Sequence, residues 1–132
     1  IEHLAEFFRI LLDTENGTVL FHCTMGKDRV GTGTALLLSM LGVPMETIVA
    51  DYLITAERCA KDTERLINNC RRFTDDEDIL RFIYYLDTVE ESFIRAVFET
   101  VDKLYGSMES FRKDKLGIGE KEIARLKELY LE

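Results

Sequence analysis

The sequence is poor in the features that would mark a secreted, membrane-spanning or nucleic-acid-binding protein. Its 132 residues include one proline against eight glycines, and the apolar fraction is 46%, so disorder is excluded and a proper core can be built. This length is one domain's worth. No apolar run reaches the roughly 18 to 20 residues needed to span a bilayer, so no integral membrane segment is expected. Three cysteines, Cys23, Cys59 and Cys70, make no disulfide framework and fit a reducing compartment or a reactive thiol. The adjacent His22 and Cys23 lack a second ligand pair, so neither a metal nor a cofactor is expected. Basic charge is also short: 17 Lys and Arg face 25 Asp and Glu, a net charge of −8. That balance opposes nucleic acid and anionic membranes as general partners. An anionic substrate must therefore be drawn by a local positive site.

What is present is mostly helical periodicity. Leu4, Phe8, Leu11 and Leu12 predict a helix over 2–13, followed by a turn at Asn16-Gly17. Thr18 to His22 is a short β-prone apolar run, expected to be a buried strand. A loop follows, then a nearly all-apolar helix from Val30 to Leu41, with Gly31 and Gly33 in its first turn to allow close backbone approach. Gly42 and Pro44 mark a stop and a start. Met45, Ile48, Val49, Tyr52, Leu53 and Ala56 form one helical face, and Cys59, Thr63, Leu66, Ile67 and Cys70 mark another helix. Thr74 and Glu77 make a capping-box pattern ahead of a helix through Ile79, Leu80, Ile83 and Leu86. A strong helix from Phe93 to Tyr105 stops at Gly106, and two short ones are expected over 107–115 and 120–131. The expected fold class is thus α/β, mostly helical, with one clear strand leading into a loop. A lone strand cannot satisfy its backbone groups. Its partner strands are expected from missing upstream sequence or from a second copy, which makes a homodimer through an incomplete sheet an expectation. The chain also opens at Ile1 directly into a periodic helix, so it reads as a fragment. A cytoplasmic location is expected, with secretion left open.

The chemistry is concentrated in His22 to Gly31, HCTMGKDRVG, where Cys23 and Arg29 stand in a C-x5-R spacing. The spacing alone is a weak signal. A strand before it, Gly26 inside it and a helix starting at the Arg make it specific. A loop leading into a helix N-terminus points successive N–H groups inward as an anion nest. The same amides lower a thiol's pKa and give a thiolate near neutral pH. Arg29 can donate two parallel hydrogen bonds to phosphate oxygens. Thiolate, donors and planar cation around one phosphoryl group suit in-line transfer, with Cys23 attacking phosphorus and water then hydrolysing the phosphocysteine. Thr24, Met25, Gly26, Lys27, Asp28 and Val30 are the phosphate-binding positions.

This segment resembles the signature of the bacterial atypical, lipid-phosphatase-like protein tyrosine phosphatases, whose loop reads HCxxGKDR followed by Thr or Ala and Gly. Leu104-Tyr105-Gly106-Ser107 and Leu116-Gly117-Ile118 with the last Leu-rich helix are similar too, so the resemblance runs from Thr18 to the end. It implies that Cys23 is the nucleophile and Arg29 the phosphate clamp. It also implies an acid role for Asp28 and, for the Lys27-Asp28 pair, activity on phosphotyrosine proteins and on phosphoinositides. Residues 1–132 would be a single, partial phosphatase domain in which 57–88 forms a helical lid. Val30 departs from the Ser or Thr many cysteine phosphatases place there, and Thr32 or Thr24 would stand in.

Plainer readings stay beside these. Asp28 serves as well to brace the loop, His22 orients it, and Lys27 can be solvated. Cys59 and Cys70 default to core packing, as do Tyr84 and Tyr85, while Arg58, Arg65, Arg71 and Arg72 read as solvated helix faces. A nucleotide P-loop is excluded because Phe21 and Asp28 stand where it needs Gly and Ser or Thr. Arsenate reductase and sulfurtransferase loops explain neither GKDR nor the C-terminal half. The alternative that remains is a phosphate-binding module without turnover.

Overall fold

Seven helices account for the architecture of residues 1–131, which the computed structural model describes. They are α1 (Glu2–Asp13), α2 (Arg29–Leu41), α3 (Met45–Cys70), α4 (Glu77–Asp87), α5 (Glu91–Tyr105), α6 (Met108–Leu116) and α7 (Glu120–Tyr130). Each carries an apolar stripe, and the stripes meet in one core. Its fully enclosed side chains are Phe8 and Leu11 of α1, Leu36 of α2, Ile48 of α3, Ile94 of α5, Ile118 in the turn before α7, and Leu126 of α7. The Tyr130 hydroxyl donates to the Leu11 carbonyl at 2.9 Å and so fastens α7 to α1.

The α/β expectation is overturned: among the described residues there is no strand and no sheet. Thr18 to His22 is an irregular connection, and no backbone hydrogen bond joins it to another described segment. β-propensity states that a segment suits a half-buried pleated surface, and it needs a partner to become a strand. None is present here, and Leu20 is 86% exposed, so the segment is not buried as expected either. What holds it is side-chain contact. Phe21 meets Phe7 edge-on at 5.0 Å, and Val19 packs against the core. Without a sheet edge among the described residues, the expected homodimer through that edge has nothing to pair.

Two expected helices are one. α3 runs unbroken for 26 residues because no glycine or proline lies within it. The two faces read from the sequence are two environments along one rod. Ile48, Val49 and Tyr52 bury its first half in the core, whereas Thr63 is the buried residue of its second half, which packs on α4. The start of α4 also differs from expectation. Asp76, not Thr74, caps it, its carboxylate accepting from the amides of Asp78 (2.9 Å) and Ile79 (3.3 Å). Thr74 accepts from the Asp76 amide instead, and Glu77 pairs with Arg71 at 2.6 Å. An aspartate one residue before the helix competes better for those amides than a threonine three residues away.

The stops follow the sequence closely. Gly42 adopts the left-handed conformation (φ 91°) that closes α2, and Pro44 presets the entry to α3. α2 is thereby held in the middle of the molecule with its N-terminus at the surface, directly after the loop Cys23 to Asp28.

Candidate active site

The loop between residues 22 and 29 wraps its backbone around one atom, the sulfur of Cys23. The Gly26 amide donates to it at 3.2 Å. That direction is available because Gly26 sits at φ +75°, where a side chain would be strained. The amide of Val30, in the first turn of α2, is the strongest influence on the thiol. It lowers the pKa from the ordinary cysteine value, opposed by partial burial and supported by the Gly26 and Met25 amides and the charge of Arg29. A thiolate at a helix N-terminus within a ring of amides is the arrangement that makes a cysteine nucleophilic. Cys23 is partly exposed and free.

The other predicted residues divide into those that join this centre and those that do not. Arg29 opens α2 beside the thiol and donates from Nη2 to the Thr24 hydroxyl at 3.2 Å, so its guanidinium is held over the loop. Met25 stands 55% exposed on the rim. His22 is exposed, with Nδ1 at 3.3 Å from the Cys23 carbonyl oxygen. Asp28 is exposed at the start of α2, its carboxylate 3.5 Å from the Lys27 ammonium. Thr32 lies one turn along α2 and faces an apolar cleft of about 560 Å³ shared with Leu4, Phe7, Phe21 and Arg29. Lys27 points inward: the residue is 5% exposed, and its ammonium donates to the carbonyls of Leu86 (2.6 Å) and Thr88 (3.2 Å).

On the opposite flank a second cleft, about 360 Å³, lies between the loop and α3, bounded by Met25, Gly26, Gly31, Asp51, Tyr52 and Arg58. Its wall depends on a close approach. A Cβ on Gly31 would stand 2.6 Å from Cε2 of Tyr52, so only glycine lets α3 lie this near the loop. The Tyr52 hydroxyl is pushed above its ordinary pKa by burial and by the charge of Asp28. Tyr52 and the carbonyls of Leu86 and Thr88 are absent from the residues read out of the sequence as site members. Tyr52 was legible as a core-facing residue and Gly31 as a close-approach position, but the pairing of the two was not. A backbone carbonyl carries no residue-type signal.

Cys59 and Cys70 are free and separated by about 16 Å along α3. Among the described residues no cluster of three or more His, Cys, Asp or Glu is placed to hold a metal ion. No described helix is long and apolar enough to cross a membrane.

Comparison with known proteins assigns the chain to a family. The model of a family described as the tyrosine phosphatase family matches residues 1–132. The chain is 31% identical over 128 residues to a Cupriavidus necator protein named, by inference, as a tyrosine-protein phosphatase, covering 96% of this chain and 45% of that protein. It is 32% identical over 125 residues to a tyrosine-protein phosphatase of Nostoc commune, covering 92% of this chain and 42% of that one. A similar match, 28% over 121 residues, is to the triple specificity protein phosphatase PtpB of Mycobacterium tuberculosis, covering 86% of this chain and 44% of PtpB. The chain thus spans less than half the length of these curated relatives.

Proposed function

The chain belongs to the tyrosine phosphatase family, and from that premise we propose that it hydrolyses phosphotyrosine in proteins through a phosphocysteine formed on Cys23. Phosphoinositides are the second substrate class. The observation that carries this is the convergence of the Val30, Gly26 and Met25 amides on the Cys23 sulfur, with Arg29 beside it.

The thiolate of Cys23 attacks phosphorus and the bond to the tyrosyl oxygen breaks. Amides of Thr24 to Val30 and the Arg29 guanidinium hold the equatorial oxygens as charge builds on them. The leaving oxygen takes a proton from Asp28, the carboxyl at the mouth of the loop. Water then attacks the phosphocysteine, phosphate departs and the thiolate returns. Val30 offers no hydroxyl to assist this second step, and the Thr24 hydroxyl, steadied by Arg29, takes that part. Residues 1–132 act as one portion of a phosphatase domain, with the hairpin over 57–88 as its lid. Its attachment to the loop through Lys27 favours that reading.

The test is hydrolysis of a phosphotyrosine peptide and a soluble phosphoinositide in EDTA, with vanadate as inhibitor. Vanadate-sensitive turnover that Cys23→Ser abolishes, with vanadate binding retained, is the expected result. Turnover undiminished in Cys23→Ser refutes the nucleophile. Vanadate binding by a wild-type protein that forms no phosphocysteine favours the binding-module reading.

A further inference from the structure

Lys27 is the buried cation of the described structure, and the catalytic steps leave it without work. A buried ammonium must be compensated, and this one is held by two carbonyls and a nearby carboxylate. A lysine has three N–H donors. Two are spent on the carbonyls of Leu86 (2.6 Å) and Thr88 (3.2 Å), and the Asp28 carboxylate lies 3.5 Å away as an ion-pair partner. A phosphate in the open mouth of the loop would have to draw the ammonium off both carbonyls.

Those carbonyls are at the C-terminal end of α4, where a helix has acceptors without intrahelical partners and a negative dipole end. Lys27 therefore serves α4 as a C-terminal cap, delivered from a loop 59 residues earlier in the chain. The same end of α4 is fixed from its other side, where the Thr63 hydroxyl of α3 donates to Asp87 at 2.7 Å. Within the loop, Lys27 directly follows Gly26, whose amide donates to the Cys23 sulfur. An uninterrupted run of contacts thus joins α3, the end of α4, Lys27, Gly26 and the thiol.

We propose that Lys27 is a positioning residue that clamps the phosphate loop to the end of α4 and thereby holds the loop's amides on Cys23. Its ammonium makes no contact with substrate. The proposal rests on the reading of Cys23 as the reactive thiol.

The experiment is the pH profile of Cys23 alkylation by iodoacetamide, read by peptide mass, with hydrogen exchange over 23–30 and 84–88. Kinetics on p-nitrophenyl phosphate run in parallel. Lys27→Met is expected to move the alkylation midpoint upward, and a midpoint about 1 pH unit higher lowers reactivity about tenfold at any pH well below both midpoints. kcat should fall more than KM rises, and exchange should quicken in both segments. Should Lys27→Met not fold, Thr63→Val decides: it loosens the end of α4 without touching the loop, and should shift the thiol midpoint in the same direction by a smaller amount. An unchanged alkylation profile in Lys27→Met with a raised KM would mean a substrate contact and overturn the proposal. So would Thr63→Val that quickens exchange at 84–88 and leaves the thiol profile alone. A wild-type thiol with an ordinary midpoint would sink the active-site reading itself, and the clamp with it. A lowered wild-type midpoint that neither variant moves removes the clamp alone.

Discussion

Two glycines, two residues apart in α2, should respond to alanine with opposite signs. At Gly31 the added Cβ would stand 2.6 Å from Cε2 and 3.1 Å from Cδ2 of Tyr52, well inside the roughly 3.5–4.0 Å of a relaxed carbon contact. Tyr52 is 8% exposed and packed in the core, so the ring or the backbone around it must shift. Overpacking of this kind costs about 1–3 kcal/mol. Alanine's better helix propensity returns at most about 1 kcal/mol, and less in a first turn. The net loss is about 1–2 kcal/mol, or about 4–8 °C in Tm for a domain of this size. At Gly33 the Cβ meets Phe7 at an ordinary 3.5 Å, so propensity prevails and alanine should gain about 0.5–1 kcal/mol. Thermal and urea unfolding of both variants give the signs. Tyr52→Ala supplies the control, because in that background Gly31→Ala should cost nothing. A Gly31→Ala protein as stable as wild type, or a penalty that survives Tyr52→Ala, would refute the close-contact argument.

Two further outcomes follow from the same geometry. Asp76→Ala removes the acceptor for two amides at the start of α4 and should cost about 1 kcal/mol by chemical denaturation; a loss near zero would mean Thr74 caps the helix after all. The depressed pKa of Cys23, set first by the Val30 amide, means the unfolded chain binds more protons between the two pKa values. Native stability from this group therefore rises with pH through that window and is complete above the unfolded value of about 8.5. The stability advantage of wild type over Cys23→Ser should accordingly widen between about pH 6 and about pH 9, and a gap that stays constant would deny the thiolate its amides.

The helices were legible because their information is local. The periodicity at Leu4, Phe8 and Leu11, the stop at Gly42 and the stop at Gly106 each lie within a few residues of the structure they specify. The strand was misread because strand formation is a property of a pair, and Thr18 to His22 has no described partner. α3 was divided in two because its apolar face changes as it leaves the core, and a change of surroundings imitates a break. For the loop, the order of residue types carried the local geometry: Cys, Gly and Arg at that spacing before a helix place a thiol among amides with a guanidinium nearby. Lys27 was harder. Its partners are carbonyls 59 and 61 residues away, so a sequence reading finds a charged side chain in a loop and naturally points it outward.

The length of α3 has a mechanical consequence. At about 1.5 Å per residue its 26 residues make a rod of about 39 Å, of which the stretch after Tyr52 is about 27 Å. Tyr52 bears on Gly31 in the first turn after the loop Cys23 to Asp28, so it stands where a fulcrum would. A pivot of about 10° there would carry the far end of the rod through about 5 Å on that geometry while moving the core side chains far less. Force applied at that distant tip is magnified, by leverage, against Gly31 in the first turn of α2.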